Sequence, residues 1–308
     1  LSAASSHNSS QPSDDIDKNA SLYFIGTATT VLQWHGIRIL TDPNFLHAGD
    51  HVHLGPGVTA TRKTNPAVDL HELPRIDAVL LSHYHADHFD QEVEKSLRRD
   101  LPIITTPHAK GCLTKTTGAL GLAGNQKEAG DIFERVYDLN TWEAMMCDLV
   151  VEGPEGGARI GQGKIGAEGI GKGKGMIPRI KITAAPGKHV PTKFLQTLNE
   201  VVKAVPPVNG WIIELGRGEA TTDDSGFECG YRIYISGDTL MVDELKEIPE
   251  RYAGQNIDLM LIHLGGTSIP DPRIPALTVM VTMDAKQGLE LVQLIKPDMT
   301  IPIHYEYV

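Results

Sequence analysis

The sequence predicts an α/β fold in which mixed β-sheets carry helices on their outer faces. Three observations lead there. The chain enters its apolar part through a β-meander, helix-like and strand-like runs then alternate to the end, and the apolar runs are strand-sized, such as Ala78 to Leu81 and Leu259 to Ile262. None approaches the ~20 residues that span a bilayer, so no integral membrane segment is expected. With 308 residues, 41% hydrophobic and 22% charged, the chain can bury a sizeable core, which excludes disorder for its bulk.

Taken in order, residues 1–20 are polar, rich in Ser, Asn and Asp, and read as a flexible tail. Leu22 to Thr27, Thr30 to Trp34 and Ile37 to Leu40 form the meander, with His35-Gly36 as a tight turn. Asp77 to Ser82 is a strand, Gln91 to Arg99 a helix, and Leu101 to Thr106, Cys147 to Val151 and Arg179 to Ala184 are strands. Phe194 to Val205 is a helix, Gly210 to Leu215 and Tyr231 to Ser236 are strands, and Val242 to Tyr252 is a helix. Strand Ile257 to Ile262, helix Ala285 to Ile295 and strand Met299 to His304 close the pattern. Residues 153–175 break it: ten glycines with few apolar residues predict a mobile surface insertion. Gly161-Gln162-Gly163-Lys164-Ile165-Gly166 matches the dinucleotide fingerprint in form only, because neighbouring glycines prevent the helix that the fingerprint needs.

A net charge of −11 without a basic cluster argues against a nucleic-acid partner. Cys112, Cys147 and Cys229 are odd in number and far apart, which fits a reducing, cytoplasmic compartment. The chain begins at Leu1, so secretion after removal of a leader stays open.

The chemistry concentrates in Ser82-His83-Tyr84-His85-Ala86-Asp87-His88, between an apolar strand and a helix. At a strand end, residues two apart point the same way, so His83 and His85 can converge on one cation while the turn carries Asp87 and His88 towards a second position. Neutral imidazole completed by carboxylate suits borderline-soft divalent metals such as zinc. A catalytic centre needs further ligands from downstream, and strand ends supply candidates: His189, Asp238 in Ser236-Gly237-Asp238-Thr239, and His304 in Ile301-Pro302-Ile303-His304.

In this order, H-x-H-x-D-H, then His, then Gly-Asp-Thr, then His, the sequence resembles the metallo-β-lactamase superfamily of metal-dependent hydrolases, from about Leu22 to His304. The resemblance implies one domain over residues 21–308, a four-layer αβ/βα sandwich with two divalent metal ions at one edge between two mixed sheets. It implies that His83, His85 and His189 hold one ion, Asp87, His88 and His304 the other, and that Asp238 bridges them. Zinc is the first expectation, with manganese or iron as alternatives. Thr41-Asp42-Pro43 is similar to an early structural motif of the family, where the Asp supports the metal-bearing loops. Within the superfamily, the chain is most similar to the branch with L-ascorbate-6-phosphate lactonase and N-acyl phosphatidylethanolamine phospholipase D. Redox di-iron members carry H-x-E-x-D, and His85 in place of that Glu argues against oxygen chemistry.

Two cations sharing a water lower its pKa from 15.7 towards ~7, so no Ser or Cys nucleophile is required. Asp87 is then expected to orient the attacking hydroxide. His263, after a buried strand, is expected either to contact an oxyanion or leaving group or to be a buried structural histidine. His51 and His53, with His47 in the same loop, and Lys188 are candidate substrate contacts, whereas His35 and His108 read as structural. Cations are sparse near the metal motifs, which favours an uncharged small-molecule substrate, a lactam or lactone. A phosphodiesterase of small or lipid substrates is the alternative, and a non-catalytic metal-binding protein is the third reading.

Overall fold

The computed structural model describes residues 20–55, 58–115, 131–152, 157–164, 176–189, 205–219, 224–269 and 279–306. Strands β1 (Ser21–Gly26), β2 (Thr29–Trp34) and β3 (Ile37–Thr41) make the expected antiparallel meander. His35 and Gly36 turn it at φ 47° and 79°, the left-handed pair of a tight hairpin. A hairpin of β4 (His51–Gly55) and β5 (Val58–Thr61) follows. Then β6 (Ala78–Leu80), β7 (Ile103–Thr105) and β8 (Val136–Asp138) extend the first sheet in parallel from β3.

The crossover helices are short and capped by their own sequence. Helix α1 (Gln91–Ser96) begins at Asp90, whose carboxylate accepts from Val93 N, and α2 (Pro107–Thr114) begins at Thr106, whose hydroxyl accepts from Ala109 N. Pro107 then starts α2, where its missing N–H costs nothing.

The second sheet has the order β10-β9-β11-β12-β13-β14-β17. Its members are β9 (Ala144–Glu152), β10 (Gly157–Lys164), β11 (Met176–Ala185), β12 (Gly210–Glu219), β13 (Glu228–Ile235), β14 (Leu259–His263) and β17 (Met299–Ile303). It is antiparallel up to β13 and parallel from β13 through β14 to β17. A small ribbon, β15 (Ser268–Ile269) with β16 (Val279–Met280), precedes the last helix.

Three apolar clusters define four layers. Ile39, Leu80 and Ile104 of the first sheet meet Ile182, Ile213 and Leu261 of the second between the sheets. Val79, Leu81 and Ile103 pack outward on Val93 of α1 and Leu113 of α2. Ile212, Tyr234 and Met260 pack outward on Ile248 of α3 (Glu247–Arg251) and on Leu291 and Ile295 of α4 (Ala285–Ile295). The architecture is the expected αβ/βα sandwich.

Two expectations change. The glycine-rich stretch is not wholly an insertion outside the fold: residues 157–164 form β10, hydrogen-bonded along β9 as the sheet's edge strand. Backbone hydrogen bonds need no side chain, so glycines that weaken a strand do not prevent an edge pairing. The fingerprint-like glycines therefore begin in a strand. The helix expected over Val242 to Tyr252 is a 3₁₀ turn, Asp243–Lys246, followed by α3. Pro249 has no N–H to offer Leu245, so the helix restarts with Pro249 in its first turn. The tail up to residue 19, the remainder of 153–175 and the helix expected over Phe194 to Val205, except Val205 itself, lie outside the described residues.

Candidate metal centre

The centre forms where strand ends of both sheets meet. The H-x-H-x-D-H loop follows β6, His189 follows β11, Asp238 follows β13, and His304 follows β17. Asp42, at the end of β3, ties the loop down. Its Oδ1 accepts from Ser82 N at 2.7 Å, and its Oδ2 stands 3.2 Å from His88 Nδ1. Asp42, Thr27 and His304 all hold left-handed backbones, φ 34°, 51° and 63°. Each costs about 1–3 kcal/mol, and such strain persists only where surrounding contacts enforce it. One such contact is His304 N donating to Thr27 O at 2.8 Å. Gly265 packs tightly beside it: a Cβ there would lie 3.0 Å from both His304 Nδ1 and its carbonyl oxygen.

The structure brings all seven expected ligands together. Asp87, His88, Asp238 and His304 form one set whose ligand atoms lie within 4.8 Å of one another; His83, His189 and Asp238 form a second, and His83, His85 and Asp87 a third. Asp238 is thus common to the groups around His189 and His304, as a bridging carboxylate must be. His85 groups with His83 and Asp87 rather than with His189, its Nδ1 lying 2.7 Å from Asp87 Oδ1.

Burial and charge set the protonation states. Burial pushes His83 well below the usual imidazole range, helped by His88 and His189. Burial likewise lowers His189 to about 4. For His88, burial alone would do the same, but the carboxylates of Asp238, Asp87 and Asp42 hold it well above. Burial would raise Asp87 and Asp238, yet the imidazoles around them win and both stay ionised.

The neutral rings of His83 and His189 fit a cation, whereas His88 must give up its proton to bind one. His189 Nδ1 faces the carbonyl of Val281 at 3.0 Å, so it must carry the proton. Its Nε2 is then a bare lone pair, and it is buried without a hydrogen-bond partner, as is His83 Nε2. A buried acceptor left unmade costs about 1–3 kcal/mol, and a divalent ion removes that cost for both rings at once.

A pH dependence follows for the metal-free protein. His189 takes up its proton near 6.5 when unfolded but near 4 when folded, so its contribution is complete above 6.5 and is lost as pH falls towards 4. The expected loss is about 3 kcal/mol over that window. Urea midpoints of the chelated protein at the two ends should differ accordingly, and His189→Gln should flatten the slope; an unchanged slope would contradict the buried, neutral ring.

Other expected site residues stand differently. His263 is fully buried, and its Nδ1 lies 2.9 Å from Asp238 Oδ1, so its ring holds a carboxylate in place rather than facing a cleft. Lys188 forms an ion pair with Glu244. His51 is exposed and its Nδ1 meets Thr61 Oγ1 at 3.0 Å, because Val52, between it and His53, takes the inward face against Ala86. The His53 side chain lies outside the described residues. His47 is also exposed and pairs with Asp69.

Two residues went unread in the sequence. Ser82 Oγ lies 2.9 Å from His83 Nδ1 and 3.4 Å from His88 Nδ1. Thr282 donates to Asp238 Oδ2 at 3.0 Å from a distant loop. Ser82 was legible as the residue leading into the motif; nothing local marks Thr282. A cavity of about 440 Å³ opens beside His189, between Thr106, His108 and Asn140 on one side and Val205 to Asn209 on the other. His108 therefore lines the cleft rather than the core.

The Beta-lactamase superfamily domain model matches residues 37–160, which contain Asp42 and the whole H-x-H-x-D-H loop. Over that part the chain is similar to the metallo-β-lactamase superfamily. It is 28% identical over 123 residues to the mitochondrial N-acyl-phosphatidylethanolamine-hydrolyzing phospholipase D of Saccharomyces cerevisiae, covering 40% of this chain and 22% of that protein. To a UPF0173 metal-dependent hydrolase of Polaromonas sp. it is 24% identical over 237 residues, covering 77% of this chain and 63% of the relative. The chain thus spans less than two thirds of both relatives. The isothiocyanate hydrolase from Delia radicum gut bacteria superposes with a TM-score of 0.58 at 17% identity, covering 93% of this chain and 85% of that one, a likeness of fold.

Proposed function

We propose that this chain is a metal-dependent hydrolase that opens a small-molecule cyclic amide or ester, a lactam or lactone, at a centre for two divalent ions, with zinc the expected metal. His83, His85 and His189 would hold one ion, Asp87, His88 and His304 the other, and Asp238 both. Neutral imidazoles and ionised carboxylates are the donors that such ions prefer. When bound, the ions supply Lewis acidity and a water acidic enough to attack at neutral pH.

The chain's own residues then orient and exclude. Asp87, buried between His85 and His304, is placed to accept a hydrogen bond from the attacking water. Thr282 and His263 fix both oxygens of Asp238, and Asp42 and Ser82 fix the rings of His88 and His83, so the donors need no rearrangement on binding.

One observation carries the substrate class. Among the described residues lining the cavity beside His189, Lys188 is the sole lysine or arginine, and Glu244 neutralises it. Apart from the metal ions, a phosphodiester would find no unpaired side-chain cation in this cavity, whereas an uncharged carbonyl needs none. The alternative, a phosphodiesterase, is favoured by the activity in the yeast relative's name. Three free thiols support a reducing compartment, and no helix among the described residues is long and apolar enough to cross a membrane.

The test is turnover of a bicyclic lactam, a γ-lactone and an aryl phosphodiester by the zinc-loaded protein, each repeated after chelation. Chelator-sensitive ring opening is expected. Cleavage of the phosphodiester alone would install the alternative, and turnover indifferent to chelation would overturn both.

A further inference from the structure

With Asp87, His88 and His304 read as holding one of the two ions, as proposed above, we infer that Asn44, gripped by the buried Arg62, is a positioning residue that aims Asp87. Asn44 follows β3 and Arg62 follows β5, and neither has exposed surface. Asn44 Nδ2 donates to the carbonyl of Ala86 at 3.1 Å, in the middle of the H-x-H-x-D-H loop. That carbonyl belongs to the peptide plane that leads into Asp87, so fixing it limits the directions the Asp87 carboxylate can take.

Arg62 decides which end of the amide faces the loop. Its Nη1 donates to Asn44 Oδ1 at 2.8 Å and to the Asn44 carbonyl at 3.1 Å, and its Nε donates to the carbonyl of Thr64 at 3.0 Å. A guanidinium has donors and no acceptor, so the side of the amide it meets must be the oxygen, and the NH2 is left for Ala86. Leu46 N donates to the same oxygen at 3.2 Å and holds the same orientation.

The neighbouring elements make room for this grip and press on the same loop. Gly26 of β1 has no side chain where a Cβ would collide with Arg62 Nη2. The β4–β5 hairpin packs Val52 and Ala60 against Leu46 and Ala86, so the strand pair that delivers Arg62 also backs the loop. Asp90 ties the far end of the loop to the same segment, its carboxylate accepting from Phe45 N at 2.7 Å. The planar fork of an arginine is pre-organised for several fixed acceptors, and a lysine ammonium does not reproduce it.

The test is competitive zinc titration of the full chain against a chromogenic chelator, with urea unfolding of the zinc-free protein alongside and His304→Gln to mark which zinc equivalent His304 holds. Asn44→Asp keeps an acceptor for Arg62 and for Leu46 N but sets a carboxylate oxygen against the Ala86 carbonyl. The equivalent marked by His304→Gln should weaken about tenfold or more while the other is retained, and the urea midpoint should not fall. Arg62→Lys leaves the amide in place without the fork, should weaken the same equivalent, and decides should Asn44→Asp misfold. Unchanged zinc affinity in both variants, weakening confined to the other equivalent, or equal weakening of both overturns the inference while the two-ion reading stands. Fewer than two zinc equivalents in the unaltered chain would overturn that reading, and the inference with it.

Discussion

Asp238→Ala is expected to lower turnover by about a thousandfold or more and to release at least one equivalent of metal. The carboxylate is common to the ligand sets around His189 and around His304, so its loss opens both. It also raises His88 and is held by His263 and Thr282, so three side chains lose their partner with it. Asp238→Asn separates shape from charge: it keeps the side chain's outline but gives the metals a weaker donor, and should still lose most activity. Metal content by plasma spectrometry, measured beside kcat and the far-ultraviolet spectrum, checks this. Full metal content with full turnover would remove Asp238 from the centre.

Asp148→Ala should cost about 3–5 kcal/mol of stability without altering the metal donors. Asp148 on β9 and Arg179 on β11 are register partners, both without exposed surface, and Arg179 Nε donates to Asp148 Oδ1 at 2.6 Å. Removing the acid takes its carboxylate from a fully buried guanidinium, the costly half of a broken buried pair. Replacing both, as Asp148→Leu with Arg179→Met, should recover most of the loss, because no charge then stays buried. Denaturant unfolding of the two variants distinguishes the cases: if the double variant is as unstable as the single, packing rather than charge is the cause.

Much of the fold was legible because its signals are local. The meander and its His35-Gly36 turn, helix Ala285 to Ile295 and the alternation of strands follow from period and turn chemistry within a few residues. The edge strand β10 was not, since its composition opposes a strand and only pairing with β9 makes one. The short strand β8 and the β4–β5 hairpin escaped for the same reason: their partners are set by register, not by their own pattern.

By itself, the sequence named the candidate donor set. Seven His and Asp residues at strand ends, in a fixed order, specify a chemistry, because ligand type and spacing are written along the chain. Tertiary structure alone decided how those donors are held and what surrounds them. It set His263 against Asp238, Thr282 beside the same carboxylate, Glu244 against Lys188 and the His51 ring away from the motif. Each of these contacts joins residues from different elements or fixes which face of a strand turns inward. Such contacts depend on how two sheets stack and on which pleat faces the core, and neither is encoded within any one segment.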